Sequence, residues 1–139
     1  MSLISVGIAI GAQMGRPGKQ VLALLGDGGI GISGFDIETA SRYKIPAVYL
    51  LFNNSSWIST EFQKATLPKV DSWGMLPDIR YDKMFDEVGC HTEFVTEPEQ
   101  IRPALERSFN SGKTSLINVI PDNTVLPPQL GASQARARE

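Results

Sequence analysis

QVLALLGDGGIGISGFDIETASRYKIPAVYLLFNN, residues 20–54, holds two short apolar runs separated by a glycine-rich segment and a helix-like one. Gln20–Leu25 and Ala47–Phe52 are continuous in apolar character, as expected of parallel strands buried on both faces. Between them, residues 26–34 carry five glycines and predict a loop with unusual backbone freedom. Phe35 to Lys44 then reads as a helix. Phe35, Thr39 and Tyr43 recur at i, i+4 and i+8, with Ile37 and Ala40 beside them. Asp36 and Glu38 fall in its first turn, where the helix dipole favours them, and Pro46 ends it. A ten-residue helix rises ~15 Å and a six-residue strand ~20 Å, so the chain descends by helix and returns by strand. Gly26-Asp27-Gly28 and Asn53-Asn54, 24 residues apart, therefore reach the same edge of one sheet. Open α/β sheets bind ligands at that edge.

Outward from this stretch the pattern repeats in kind. Residues 3–14 are small and apolar on nearly every face and predict a buried helix whose glycines admit a close neighbour. Arg16 to Lys19 is a turn. Residues 53–77 are polar with two prolines and two tryptophans, a long loop of the kind that often binds or covers a ligand. Residues 81–88 read as a helix stopped by Gly89, and Glu93–Val95 as a strand. Thr96-Glu97-Pro98-Glu99 fits a capping box opening a helix to Asn110, with Pro103 marking a 3₁₀ start before the regular helix. Ser115–Ile120 is the last strand. The order β-α-β-α-β-α-β predicts a three-layer α/β/α fold with a mostly parallel, doubly wound sheet. Residues 1–125 form one domain and 126–139 an extended or disordered tail.

Composition narrows the function. The chain has 139 residues, 42% hydrophobic and 20% charged, enough for one domain with a core and too few for a two-domain enzyme. Thirteen basic against fifteen acidic residues speak against a nucleic-acid binder. Cys90 is alone and cannot form an internal disulfide, and His91 is alone and cannot build a multi-histidine metal site. No apolar run spans a membrane, and the N-terminal stretch lacks a basic signal-peptide region. A soluble protein of the reducing cytoplasm is expected.

The chemistry lies at the shared edge. Glycine N–H groups, with a following helix N-terminus, suit a phosphate. Asp27 places a carboxylate among them, and two anions repel unless a cation stands between. Mg²⁺ takes oxygen ligands from one or two carboxylates plus ligand phosphates. Asp27 and the Asn54 side-chain oxygen suit it, and a backbone carbonyl just beyond supplies a third ligand. The residues thus predict a divalent metal bridging this edge to a diphosphate.

GDG, 24 residues and NN resemble the diphosphate signature of thiamine-diphosphate enzymes. GIAIGAQMGRPGKQVLALLGDGGIGISGFDIETASRYKIPAVYLLFNN and the later IRYDKMFDEVGCHTEFVTEPEQIRPALERSFNSGKTSLINVI extend the likeness over about residues 4–125. Both resemble the C-terminal cofactor domain of the acetolactate synthase, 2-hydroxyacyl-CoA lyase and oxalyl-CoA decarboxylase group. The resemblance implies a thiamine-diphosphate-binding fold with thiamine diphosphate and Mg²⁺ as cofactors. It implies that Asp27, Asn54 and the Ser56 carbonyl hold the metal, and that Gly26, Gly28 and Gly29 belong to the diphosphate cradle. Gly29 often corresponds to serine or alanine in relatives. The large apolar residue that props the bent cofactor is absent, or imperfectly replaced by Leu3. The activating glutamate would sit on a separate pyrimidine-binding domain, with no room for it here. The chain is therefore expected to be a piece or small subunit of a carbon–carbon lyase or carboligase acting on 2-keto acids or 2-hydroxyacyl-CoA. It would carry no catalytic residue of its own, be inactive alone, and tend to self-associate.

Rival readings attach to the same residues. Gly26-x-Gly28-x-x-Gly31 also satisfies a nicotinamide-binding Rossmann pattern, although Asp27 would repel a bare pyrophosphate. A non-catalytic assembly subunit is the second rival. Trp57 and Trp73 read as lid or core packing rather than substrate contacts, Glu38 as a dipole partner or domain-interface residue rather than a catalytic acid, Cys90 as a buried thiol, and Arg102, Arg107 and Lys113 as a solvated helix face.

Overall fold

The structure, a computed structural model, describes residues 4–57 and 74–122. In chain order these are α1 (Ser5–Gly15), β1 (Leu22–Gly26), α2 (Asp27–Ser33), α3 (Asp36–Arg42), β2 (Val48–Phe52), α4 (Tyr81–Asp86), β3 (His91–Val95), α5 (Pro98–Asn110) and β4 (Ser115–Val119). The strands form one sheet in the order β1-β2-β4-β3, every pairing parallel. This is the three-layer fold expected from the alternation of elements.

Strand alternation builds two cores from one sequence. Tyr49 and Leu51 of β2, with Leu25 and Leu116, meet Val6 and Ala9 of α1, Ile37 of α3, and Tyr81 and Phe85 of α4. Val48 and Leu50 point the other way, with Ile117, Val119 and Val95, onto Ala104 of α5. β4 is buried along its whole length and β2 along all but its last residue, which explains their unbroken apolar sequence.

Several local expectations are corrected. β1 is an edge strand with one open face: Leu22 and Leu24 are 43% and 48% exposed. They lie level with Val48 and Leu50, but α5 packs over β3, β4 and β2 and stops short of β1. A groove of about 620 Å³ opens between Gln20, just before β1, and Ile101, Leu105 and Phe109 of α5. The glycine-rich segment is the short helix α2 rather than a loop. Helix α3 buries Ile37 and Ala40 and leaves Phe35 and Tyr43 mostly exposed, so the i, i+4, i+8 stripe is its outer face. Only Val6, Ala9 and Gln13 of α1 are buried, and the positions beside Gly7, Gly11 and Gly15 are open among the described residues.

The later elements keep their order and shift at their ends. β3 begins at His91, and α4 ends at Asp86 before a turn that closes at Gly89 with φ 85°. The box on α5 is capped by Glu97 with Gln100, not by Thr96: the Gln100 side-chain oxygen accepts from Glu97 N at 3.3 Å and Thr96 N at 3.0 Å. Pro103 sits inside a continuous α-helix rather than opening one. The only intrahelical bond it deletes would have ended on the Glu99 carbonyl, and both residues are exposed, so water can satisfy that oxygen. The expectations for Leu3, for the loop beyond Trp57 including Trp73, and for the 126–139 tail lie outside the described residues. No helix among the described residues is long and apolar enough to cross a membrane.

Candidate functional site

Register builds the site. Gly26 pairs with Phe52, so β1 and β2 end side by side. The next residues, Asp27 on one chain segment and Asn53-Asn54 on the other, leave the sheet together, as the sequence spacing predicts. Asp27 opens α2 and is 2% exposed. Its Oδ1 accepts from Gly28 N at 2.9 Å and its Oδ2 from Ser56 N at 3.0 Å. Among the described residues no lysine or arginine pairs with it. Burial pushes its carboxyl above the ordinary range, against the opposing pull of the Ser56 and Gly28 N–H groups.

The two asparagines divide their work. Asn53 is structural: its backbone N–H donates to Val119 O at 2.8 Å and its side-chain amide to Ile79 O at 2.9 Å. Asn54 turns toward Asp27. One terminal atom of its amide lies 2.9 Å from the Ser56 carbonyl oxygen and 3.2 Å from Asp27 Oδ1. With nitrogen there, the amide donates to both oxygens. With oxygen there, three oxygens converge on one point. Octahedral Mg²⁺ with bonds near 2.1 Å places neighbouring ligands about 3 Å apart. The donor set therefore fits a small hard dication: one carboxylate, one amide, one backbone carbonyl.

Ser56 reaches this position through Ser55, which sits in the left-handed region at φ 52°, an uncommon conformation for serine. A short antiparallel bridge then pins the segment. Ser56 Oγ and Trp57 N both donate to Gly74 O, at 3.0 and 2.8 Å, and Leu76 N donates to Ser55 O at 2.9 Å. Gly28 and Gly29 lie in the first turn of α2, where backbone N–H groups lack intrahelical partners. The Gly28 N–H is turned onto the Asp27 carboxylate. Gly26 is the N-cap of α2, in extended conformation.

Two further residues neighbour this cluster: Tyr81, which sequence reasoning missed, and Trp57, which it read as lid or core packing. Tyr81 is buried, and burial followed by the nearby Asp27 charge pushes its hydroxyl above the usual range. The indole of Trp57 lies on Gly28. A lone tyrosine 54 residues from Asp27 carries no local signal, whereas Trp57 directly follows Ser56. Elsewhere, Glu38 lies in the first turn of α3 as expected and also pairs with Arg42 on its surface, and Cys90 is buried as expected, its thiol pushed up by burial. Arg107 departs from the solvated-face reading: it holds Glu93 through two nitrogens at 2.8 and 2.9 Å, with His91 on the same carboxylate. None of the described residues forms a cluster of three or more His, Cys, Asp or Glu side chains able to hold a metal.

The profile of the family described as "Thiamine pyrophosphate enzyme, C-terminal TPP binding domain" matches residues 4–119. The chain belongs to this family. It is 35% identical over 127 residues to the acetolactate synthase large subunit IlvG of Mycobacterium tuberculosis, covering 88% of this chain and 23% of that protein. It is 31% identical over 139 residues to a 2-hydroxyacyl-CoA lyase of Oryza sativa subsp. japonica, covering 96% and 23%. Oxalyl-CoA decarboxylase of Escherichia coli is 34% identical over 122 residues, covering 86% and 21%. Among solved structures, a thiamine diphosphate-dependent 4-hydroxybenzoylformate decarboxylase of Rhodococcus jostii superposes with a TM-score of 0.76 at 25% identity, covering 86% of this chain and 23% of that one. The chain thus spans less than a quarter of the length of each of these relatives. The thiamine pyrophosphate-binding domain is the common part, and it contains every residue of the Asp27 cluster.

Proposed function

We propose that this chain anchors thiamine diphosphate through Mg²⁺ for an enzyme that makes or breaks a carbon–carbon bond beside a carbonyl. Substrates would be 2-keto acids or 2-hydroxyacyl-CoA thioesters. The convergence of Asp27, Asn54 and the Ser56 carbonyl carries the reading. A buried carboxylate facing two other oxygens, with no basic side chain on it among the described residues, has its charge balanced best by a bound dication. Asp27, Asn54 and Ser56 would hold the metal, and Gly26, Gly28 and Gly29 would line the diphosphate cradle beside them. Bound thiamine diphosphate supplies a carbanion-stabilising thiazolium. The chain's own groups bind and orient, and none of the described residues at the site is placed for acid–base work on a substrate.

The remaining half of the active site would come from a pyrimidine-binding domain or subunit, without which this chain is inactive. α1 and α3 pack together and present Ile4, Ile8, Phe35 and Tyr43, each more than half exposed, as an apolar surface for that partner or a second copy. A lone buried thiol suits the reducing cytoplasm. Titration calorimetry of thiamine diphosphate with and without Mg²⁺ tests the cofactor reading. Binding that requires Mg²⁺ is expected, and NADH binding in EDTA with no response to thiamine diphosphate would overturn it. Carboligase or decarboxylase turnover should arise only on mixing with a pyrimidine-domain partner. Turnover by the chain alone would overturn the half-site reading.

A further inference from the structure

We propose that Trp57 is the positioning residue of this site: its indole, packed on Gly28, fixes the spacing between the Asp27 turn and the Asn54–Ser56 donors. The inference rests on the cofactor reading above and adds a residue to it. A Cβ placed on Gly28 would lie 3.1 Å from both Cδ2 and Cε3 of Trp57 and 3.6 Å from Cε2. Gly28 is not among the glycines with positive φ, so its backbone does not demand glycine. The indole occupies the space a side chain would need.

That contact is coupled to the donor set. Trp57 follows Ser56, whose N–H holds Asp27 Oδ2 at 3.0 Å and whose carbonyl lies 2.9 Å from the Asn54 amide. On the far side the Trp57 N–H is tied to Gly74 O at 2.8 Å. Both ties hold the main chain at Trp57, so the ring stands on a segment anchored to Asp27 on one side and to Gly74 on the other. Trp57 is 45% exposed, so it stands at the surface of the site rather than as core filling.

A double-mutant cycle on the full chain tests this, with Trp73→Phe as background so that Trp57 alone emits. The readouts are the thiamine diphosphate dissociation constant at saturating Mg²⁺ and the Trp57 emission without metal or cofactor. Overpacking of this kind should weaken binding about tenfold in Gly28→Ala. Trp57→Leu should weaken it comparably, while Trp57→Phe stays within about threefold of the parent. The double variant Gly28→Ala/Trp57→Leu should bind no worse than Trp57→Leu alone, because the clash has gone. Gly28→Ala should also shift the metal-free Trp57 emission to the red. Additive losses with unmoved emission would overturn the proposal and make Gly28 a direct cofactor contact. Should Gly28→Ala fail to fold, equal binding by Trp57→Leu and Trp57→Phe would overturn it instead. If the parent showed no Mg²⁺-dependent binding, the cofactor reading would fail, and the metal-free emission would still decide whether Trp57 and Gly28 are coupled.

Discussion

Replacing Asp27 by asparagine separates the two things its carboxylate does. Without metal, the charge is a burden, because burial raises its pKa despite two N–H donors. A group whose folded pKa lies above its unfolded value contributes stability below the unfolded pKa, and that contribution is lost as pH rises through the folded one. At neutral pH Asp27 therefore gives the metal-free chain no such benefit. Asparagine keeps one acceptor oxygen and loses the charge, but its NH₂ then faces one of the two N–H donors, so the metal-free cost is about 1–3 kcal/mol, offset in part by the relieved burial. With metal the balance reverses. Ligand at 100 times its dissociation constant stabilises the parent by about 2.7 kcal/mol. In a domain of this length that raises Tm by roughly 10 °C. Asp27→Asn has no counter-charge to offer, and its shift should fall below about 2 °C. Paired thermal melts with and without Mg²⁺ and thiamine diphosphate measure this. On acidification toward the raised pKa, the parent's ligand-induced shift should shrink, since a protonated carboxyl does not ligate Mg²⁺, while the metal-free parent gains stability relative to the variant. A Mg²⁺-dependent shift in Asp27→Asn as large as the parent's would refute the coordination argument.

Three further outcomes are expected. Ca²⁺, with bonds near 2.4 Å, needs ligand oxygens about 3.4 Å apart, so Mg²⁺ and Mn²⁺ should support cofactor binding better than Ca²⁺ in calorimetry, and EDTA should abolish it. Asn118→Ala removes a buried donor 2.9 Å from Asp82 Oδ1 and should cost about 1.5–3 kcal/mol in urea unfolding at pH 7. Burial pushes Asp82 up, but its Arg80 and Asn118 hydrogen bonds outweigh that and hold it below the usual range. Its stabilisation is lost as pH falls through the folded pKa, so the acid-unfolding midpoint of Asn118→Ala should move to higher pH. Ile8→Lys/Phe35→Lys changes residues 58% and 72% exposed, so folding should shift by no more than about 1 kcal/mol while sedimentation shows weaker self-association or partner capture.

Much of this was legible in the sequence because it rests on local periodicity. The unbroken runs at Val48–Phe52 and Ser115–Val119 announce strands covered on both faces, and the lengths between Asp27 and Asn54 place the two on one edge. The failures have a common cause: which face of an element is covered depends on its neighbours. Leu22 and Leu24 read like Val48 and Leu50 but lie at the edge, beyond the reach of α5. Phe35 and Tyr43 outweigh Ile37 and Ala40 in apolar area, yet α3 turns the smaller pair inward. Gly28, Gly29 and Gly31 lower helix propensity, but α2 forms nonetheless, with Ile30 buried in the core to favour it. The different fates of Asn53 and Asn54 were equally invisible, since the pair is identical in type.

Packing and site are enforced by one register. Tyr49 and Leu51 must face α1, α3 and α4, while Val48 and Leu50 face α5. Sliding β2 by one residue would invert all four. The same alternation, carried past Phe52, sends the Asn53 side chain inward to Ile79 O, while Asn54 turns toward Asp27. The buried side chains that make β2 a central strand therefore also decide which asparagine meets the carboxylate. Slippage is opposed by the whole core, so Asp27, Asn54 and the Ser56 carbonyl are held together before any ligand arrives. The cost is that Asp27 stays buried beside other oxygens in the metal-free chain. On the proposed reading, binding of the anionic diphosphate would then depend on the dication.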